Sequence, residues 1–257
     1  MSIKDFRLDR KSAGAQALDG LWGPGPPGDL LYDMSGRGNH ATRIGSTPDF
    51  RNTERGLVPW YDGVDDAYNC ERRINLDAVA FTVMAWVWSD STVATTVPAV
   101  CGMGESNPGD WRIRLANAQN PGVSMTADGD AGGIACNAAA GSFDAVRDTW
   151  VHVAFTRWIG AAAGAALYQD GLLMATDAVA PDDLNVADVL QIGCCDNKAN
   201  RWWKGYIDDV RWYSRALSIA QVTHIYRTTR YHPYADIALG RIRRHGRVHT
   251  GHVRRAT

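Results

Sequence analysis

Two adjacent aspartates, Asp208 and Asp209, stand inside an otherwise apolar run, GYIDDVRWYSRAL at 205–217. Aspartate is depleted in strands because its short carboxylate competes for backbone hydrogen bonds. The pair therefore implies a bulge, a hydrogen-bonded turn or a bound cation. Two further acidic stretches fall in glycine-bearing turns, DMSGRGN at 33–39 and DGVDD at 62–66. Calcium takes oxygens from carboxylates, amides and carbonyls, which such turns can present. The alternative is that Asp33 and Asp62 cap turns and Asp208 accepts backbone N–H groups.

Acid–base catalysis from a strand needs two acids on alternate positions, so that both project to one face. Asp208 and Asp209 are neighbours and on a regular strand would face opposite ways. Asp128 and Asp130, and Asp182 and Asp183, lie in Gly- or Pro-rich loops, and none of Glu54, Glu71 and Glu105 has an acid two residues away. His152 has no Ser or Cys partner identifiable by spacing, and no phosphate-cradling glycine motif occurs. The chain reads as a non-enzyme.

Composition bears on the fold. Of 28 acids only those three are glutamates, and of 27 bases only Lys4, Lys11, Lys198 and Lys204 are lysines. Aspartate suits turns and loops where glutamate suits helices, so a loop-rich β protein is expected. Five cysteines (Cys70, Cys101, Cys136, Cys194, Cys195) show no zinc-ligand spacing and no disulfide framework. They read as buried thiols. The beginning MSIKDFRLDRK has no signal-peptide core and no run is long enough for a membrane helix. The expectation is synthesis in a reducing cytoplasm with no membrane contact.

The elements that must position these residues are mostly strands. Leu18–Trp22, 30–32, 41–44, 59–61 and 67–70 come first, followed by 81–88 (FTVMAWVW), apolar enough to be buried on both faces. Strands are expected again at 97–102, 111–115, 122–126, 150–156, 165–169, 172–175 and 189–193, with a hairpin turn at Asp170-Gly171. One helix is convincing. Ser218 offers its N-cap, Ile219, Val222, Ile225 and Tyr226 recur at helical spacing, and it ends near Arg230. The pattern is an all-β sandwich closed by one short C-terminal helix. Residues 1–17 form an N-terminal arm, 18–232 one domain, and 233–257 a basic C-terminal tail.

Taken together, Leu21-Trp22, DMSGRGNHAT at 33–42, YDGVDDAY at 61–68, FTVMAWVW at 81–88, TWVHVAFT at 149–156, LYQDGLLMA at 167–175 and the long run at 190–218 resemble, in order, the laminin G-like, concanavalin A-like lectin and glucanase domains. The similarity covers residues 18–230 and is greatest to compact bacterial and phage versions. It implies a two-sheet antiparallel jelly-roll sandwich of six or seven strands per sheet. It also implies one structural Ca2+ near the first turn and last strand, with Asp33, Asn39 and Asp208 as ligands and carbonyls around Gly38, His40 and Asp62 completing the shell. The related glucanases carry an ExDxE-type run, which this chain lacks.

Glycan binding needs an exposed aromatic with convergent polar groups. Trp111, Trp158 and Trp202 are the candidates. The family pattern turns Trp203 inward, leaving Trp202 outward, with Asn197, Asn200 and Arg201 to hydrogen-bond beside it, or else Trp202 packs under a loop. Trp22, Trp86, Trp88, Trp150 and Trp212 read as core. Residues 240–257 hold six arginines, three histidines and no acid, which leaves 21 bases against 28 acids in the rest. Such a tail could dock an acidic partner surface, a neighbouring subunit of a homo-oligomer or nucleic acid. The expected protein is a non-catalytic binding or structural module of a virion or other assembly, present on that virion or an extracellular surface after release. It would contact glycans or partner subunits through loop edges. A free carbohydrate-binding lectin is the alternative, and a glycan-active hydrolase the third reading.

Overall fold

A computed structural model describes residues 8–12, 14–23, 28–46, 48–75, 80–92, 99–103, 110–115, 123–128, 135–137, 148–159, 164–177, 187–194 and 202–231. Within them run β1 (Leu18–Trp22), β2 (Leu30–Leu31), β3 (Ala41–Ile44), β4 (Asp49–Thr53), β5 (Gly56–Asp62), β6 (Ala67–Asn75), β7 (Phe81–Ser89) and β8 (Ala99–Met103). The second half supplies β9 (Asp110–Leu115), β10 (Val123–Asp128), β11 (Ala135–Asn137), β12 (Trp150–Trp158), β13 (Gly164–Gln169), β14 (Leu172–Asp177), β15 (Ala187–Ile192), β16 (Lys204–Tyr213) and the helix α1 (Ile219–Thr229). The jelly-roll sandwich is present, with eight strands in each sheet rather than six or seven. One sheet runs β14-β13-β12-β7-β16-β5-β4 with β1 also on β16, the other β11-β10-β9-β8-β15-β6-β3-β2.

Burial explains which strands the sequence announced. β7 and β12 are covered on both faces, hence their near-continuous apolar runs. β4 (DFRNT) was not foreseen, because it is a largely exposed edge strand without the alternation that betrays a half-buried one. β11, three residues long at the other sheet's edge, gave no signal either. Between the sheets lies one core, including Trp22, Tyr61, Tyr68, Phe81, Phe155, Trp203 and Trp212. Cys70, Cys101 and Cys194 are buried, while Cys195 lies outside the described residues.

A second cluster lies on the outer face of the first sheet, where Val222 and Ile225 of α1 pack with Leu18, Leu21, Met84 and Tyr213. The helix is fixed by a complete capping box between Ser218 and Gln221. Full burial of its Val and Ile stabilises by about 1.5–3 kcal/mol each. Thr223 Oγ1 donates to Gly171 O at 2.7 Å, so the Asp170-Gly171 hairpin is also the helix's docking point.

β16 organises the first sheet. One of its edges pairs with β7 throughout; the other pairs with β5 over Lys204–Tyr206 and with β1 over Val210–Tyr213. Asp208 and Asp209 sit at the handover. The register against β7 shifts between Asp208 and Arg211, and Asp209 adopts φ 51°, so the paired acids mark a β-bulge, the first of the three expected explanations. Gly205 lets β16 approach β7: a Cβ there would stand 2.0 Å from Trp88 O.

Candidate functional site

The inserted residue of the bulge changes which way the acids point. Asp208 and Asp209, 1% and 2% exposed, are both held by arginines. Arg55 Nε lies 2.7 Å from Asp208 and Arg55 Nη1 donates to Thr229 O at 3.0 Å. Arg211 Nε and Nη2 grip Asp209 in bidentate fashion at 2.7 and 2.9 Å. Trp86 Nε1 donates to Thr229 Oγ1 at 2.9 Å, and the Arg55 guanidinium stacks on Trp86 at 4.3 Å. His152 lies against Trp86 and Tyr226 in the same layer. Burial, with the Arg211 and Arg55 charges, lowers its pKa to about 3. This is a closed polar joint under α1, with no substrate-facing dyad.

The calcium ligands implied by the resemblance have other partners. Asp33 Oδ1 accepts from the N–H groups of Leu21 and Ser35, and Asp33 Oδ2 from that of Asn39. The Asn39 amide donates to Asp19 O at 2.7 Å, and Trp22 Nε1 to Asn39 O at 2.6 Å. Asp33 is thus committed to backbone donors and Asp208 to Arg55, which leaves these two carboxylates ill-suited to a calcium shell. The first turn is fastened to the last strand all the same, through the β1–β16 ladder and a bridge between Trp22 and Asp33. Asp62, Asp65 and Asp66 do converge, within 4.8 Å. Their oxygens receive Val64 N–H, Asp65 N–H, Asp62 N–H and the Ser46 hydroxyl, which is how an acidic turn holds itself together.

Trp202 is half-buried against Ile44, Ala67 and Cys194, while Trp203 is buried in the core as expected. Its expected polar companions Asn197, Asn200 and Arg201 lie outside the described residues, as does the tail 233–257. Trp158 packs against the cluster under α1.

Two tryptophans expected in the core are not there. Trp88 and Trp150 are half-buried, and with Trp60 and Tyr206 they form a row on the outer face of the first sheet. The register sets Trp150 beside Trp88, Trp88 beside Tyr206 and Tyr206 beside Trp60. Ring centroids lie 5.8 Å apart for Trp150–Tyr206, 5.4 Å for Trp88–Tyr206 and 4.8 Å for Trp60–Tyr206. The Arg51 guanidinium covers Trp60 at 4.4 Å and pairs with Asp49 at 3.0 Å.

Carboxylates border this row. Asp62 follows Trp60 by two residues, Asp90 follows Trp88 by two, and Asp148 precedes Trp150 by two, which sets them at the strand ends beside the rings. Asp49 stands opposite Trp60 in register. Lys204 Nζ lies 3.7 Å from Asp90 and 2.5 Å from Thr92 Oγ1. Burial works against the Asp90 charge, but the Thr92 hydrogen bonds and the Lys204 ammonium hold its pKa below the usual range. Arg51, hydrogen-bonded to Asp49, has its pKa raised. The signal for this face was in the sequence as a tryptophan–aspartate pair at spacing two on three strands. An aromatic in an apolar strand reads as core, which hides this signal.

Chemically, the face offers ring surface for stacking beside acceptors and donors for hydroxyl groups. The model of the concanavalin A-like lectin/glucanases superfamily matches residues 62–223. No curated protein sequence matches the chain. Domain 4 of AbnA, a GH43 extracellular arabinanase from Geobacillus stearothermophilus solved with arabinotriose, superposes with a TM-score of 0.61 at 17% identity, over 80% of this chain and 97% of that one. The binding domain of Paraclostridial Mosquitocidal Protein 1 gives 0.63 at 14%, over 83% and 52%. The binding domain of botulinum neurotoxin DC, in complex with SialylT, gives 0.60 at 13%, over 85% and 53%. The chain spans about half the length of the two toxin domains, and at these identities the likeness establishes the fold.

Proposed function

The chain belongs to the concanavalin A-like lectin/glucanases superfamily, and from that premise we propose that it is a non-catalytic glycan-binding module whose ligand lies on the row Trp150, Trp88, Tyr206 and Trp60. The observation that carries this reading is the pairing of each tryptophan of the row with an aspartate two residues away. Sugars offer C–H faces to aromatic rings and hydroxyls to carboxylates, and this face supplies both partners side by side. The arabinotriose and SialylT complexes of two structural neighbours support the ligand class. The buried, arginine-paired state of Asp208 and Asp209 supports binding without turnover.

A glycan array probed with the wild type, Trp88→Ala and Trp202→Ala tests it. Binding lost in Trp88→Ala and kept in Trp202→Ala supports the outer face. The reverse pattern would move the site to Trp202 and the loop at 197–201. Release of reducing sugar from any polysaccharide on the array would overturn the non-catalytic reading.

A second reading concerns where the module is carried. The six arginines of 240–257 against an acidic remainder suit docking on a larger assembly such as a virion. Co-sedimentation with assembled particles, abolished by deleting 240–257, is the expected result; sedimentation unchanged by the deletion would sink that reading.

A further inference from the structure

The aromatic row has a direction, a length and a charge, and these describe its ligand more closely than the word glycan does. β12, β7, β16 and β5 are successive neighbours in the first sheet, so the rings of Trp150, Trp88, Tyr206 and Trp60 follow a line across the strands. Trp150 and Trp60 stand 5.8 Å and 4.8 Å from Tyr206, so the rings draw in around it and span less than three strand spacings. The repeat of a pyranose or furanose chain is of the same order as one strand spacing, so the row accommodates a short oligosaccharide. The row is continuous, since Tyr206 touches all three tryptophans.

Its border is acidic. Asp49, Asp62, Asp90 and Asp148 stand along it, against Arg51 and Lys204. Both cations are matched within the border, Arg51 by Asp49 at 3.0 Å and Lys204 by Asp90 at 3.7 Å. Asp62 instead receives the N–H groups of Val64 and Asp65, and Asp148 the N–H of Ser91. Neutral donors of this kind orient a carboxylate without cancelling its charge, so among the described residues the border keeps a surplus of negative charge. The pairing of Arg55 with Asp208 beneath Trp150 adds nothing to that balance.

We infer that the face takes a short uncharged oligosaccharide, laid across the strands, and discriminates against sugars bearing carboxylates or sulfates. The inference rests on the glycan reading and narrows it. Hydroxyl groups donate to Asp62, Asp90 and Asp148 as charge-assisted hydrogen bonds. The Arg51 guanidinium over Trp60 donates to ring or hydroxyl oxygens at the far end. An anionic group in place of one of these hydroxyls would lose that bond and meet like charge, a contribution that salt screens.

The test is a glycan array on the full chain holding neutral oligosaccharides of one to six units beside acidic counterparts of the same backbone, such as desialylated and sialylated pairs. Wild type is compared with Trp88→Ala and with the double variant Asp62→Asn, Asp148→Asn. Expected is affinity that levels by the trisaccharide, with acidic counterparts roughly fivefold to tenfold weaker at low salt. The double variant should narrow that gap. Acidic glycans binding as tightly as neutral ones, or affinity that keeps climbing beyond the trisaccharide, with all binding lost in Trp88→Ala, would overturn the ligand class and leave the site standing. Binding indifferent to Trp88→Ala, or none on the array, would overturn the glycan face itself.

Discussion

Arg55 lies 2.7 Å from Asp208 across 153 positions of sequence, at the seam where β5 yields its edge of β16 to β1. Both side chains are nearly inaccessible, at 3% and 0% exposure. Breaking a buried pair from one side leaves the other charge uncompensated. Arg55→Met is expected to lower the unfolding free energy by about 3–5 kcal/mol. Adding Asp208→Leu to that variant should restore much of the loss, because it removes the stranded carboxylate. Urea unfolding of the three proteins decides, and a single variant as stable as wild type would show the joint to be idle.

His152 makes the same layer sensitive to acid. Its pKa falls from 6.5 to about 3 by burial and by the Arg211 and Arg55 charges, so the unfolded chain takes up a proton that the folded chain refuses. Its contribution to stability is therefore whole above pH 6.5 and is lost progressively as pH falls toward 3. The slope in that window approaches about 1.4 kcal/mol per pH unit. Asp170, Tyr226 and Arg230 adjoin this layer, so the comparison must be made against a variant. His152→Gln should flatten the difference in unfolding free energy measured between pH 7 and pH 4; identical pH profiles would refute the assignment.

Gly205 sits at φ 131° with Trp88 O at 2.0 Å from where a Cβ would be. Backbone strain and overpacking act together there, and Gly205→Ala should cost about 2–4 kcal/mol. Because the atom struck belongs to the backbone beneath Trp88, the variant should also perturb the tryptophan row. A shifted Trp88 indole resonance would register this, and an unmoved resonance with wild-type stability would contradict the close approach.

Asp33 fixes its turn through three backbone N–H groups. Asp33→Ala strands those donors and should lower stability by about 2 kcal/mol. EDTA should leave the melting temperature of the wild type where it is. A fall on chelation, reversed by calcium, would mean that the carboxylate serves an ion after all.

Much of this fold was legible residue by residue. β7 and β12 announced themselves because burial on both faces demands unbroken apolar runs, and α1 because Ser218, Gln221 and the spacing of Val222 and Ile225 state a helix locally. β4 stayed silent because an exposed edge strand needs no apolar face. The Asp208–Asp209 pair announced an irregularity but not its partners. Arg55 stands more than half the chain away, and nothing local to either residue names the other. Trp88 and Trp150 were misassigned to the core because composition distinguishes apolar from polar, while only the position of α1 decides which part of an apolar outer face is covered. The helix shelters Trp86 and His152 and stops short of Trp88 and Trp150.

The sequence by itself determined the strand pattern, the cap and stripe of the helix, the superfamily likeness and the tryptophan–aspartate spacing, because each is written in residues close along the chain. The tertiary structure alone decided that β5 and β1 share an edge of β16, that arginines fill the seam, and that four half-buried aromatic rings from four strands meet on the outer face. Those outcomes depend on which distant segments lie side by side. That is fixed by the summed packing of both sheets, and no short stretch contains it.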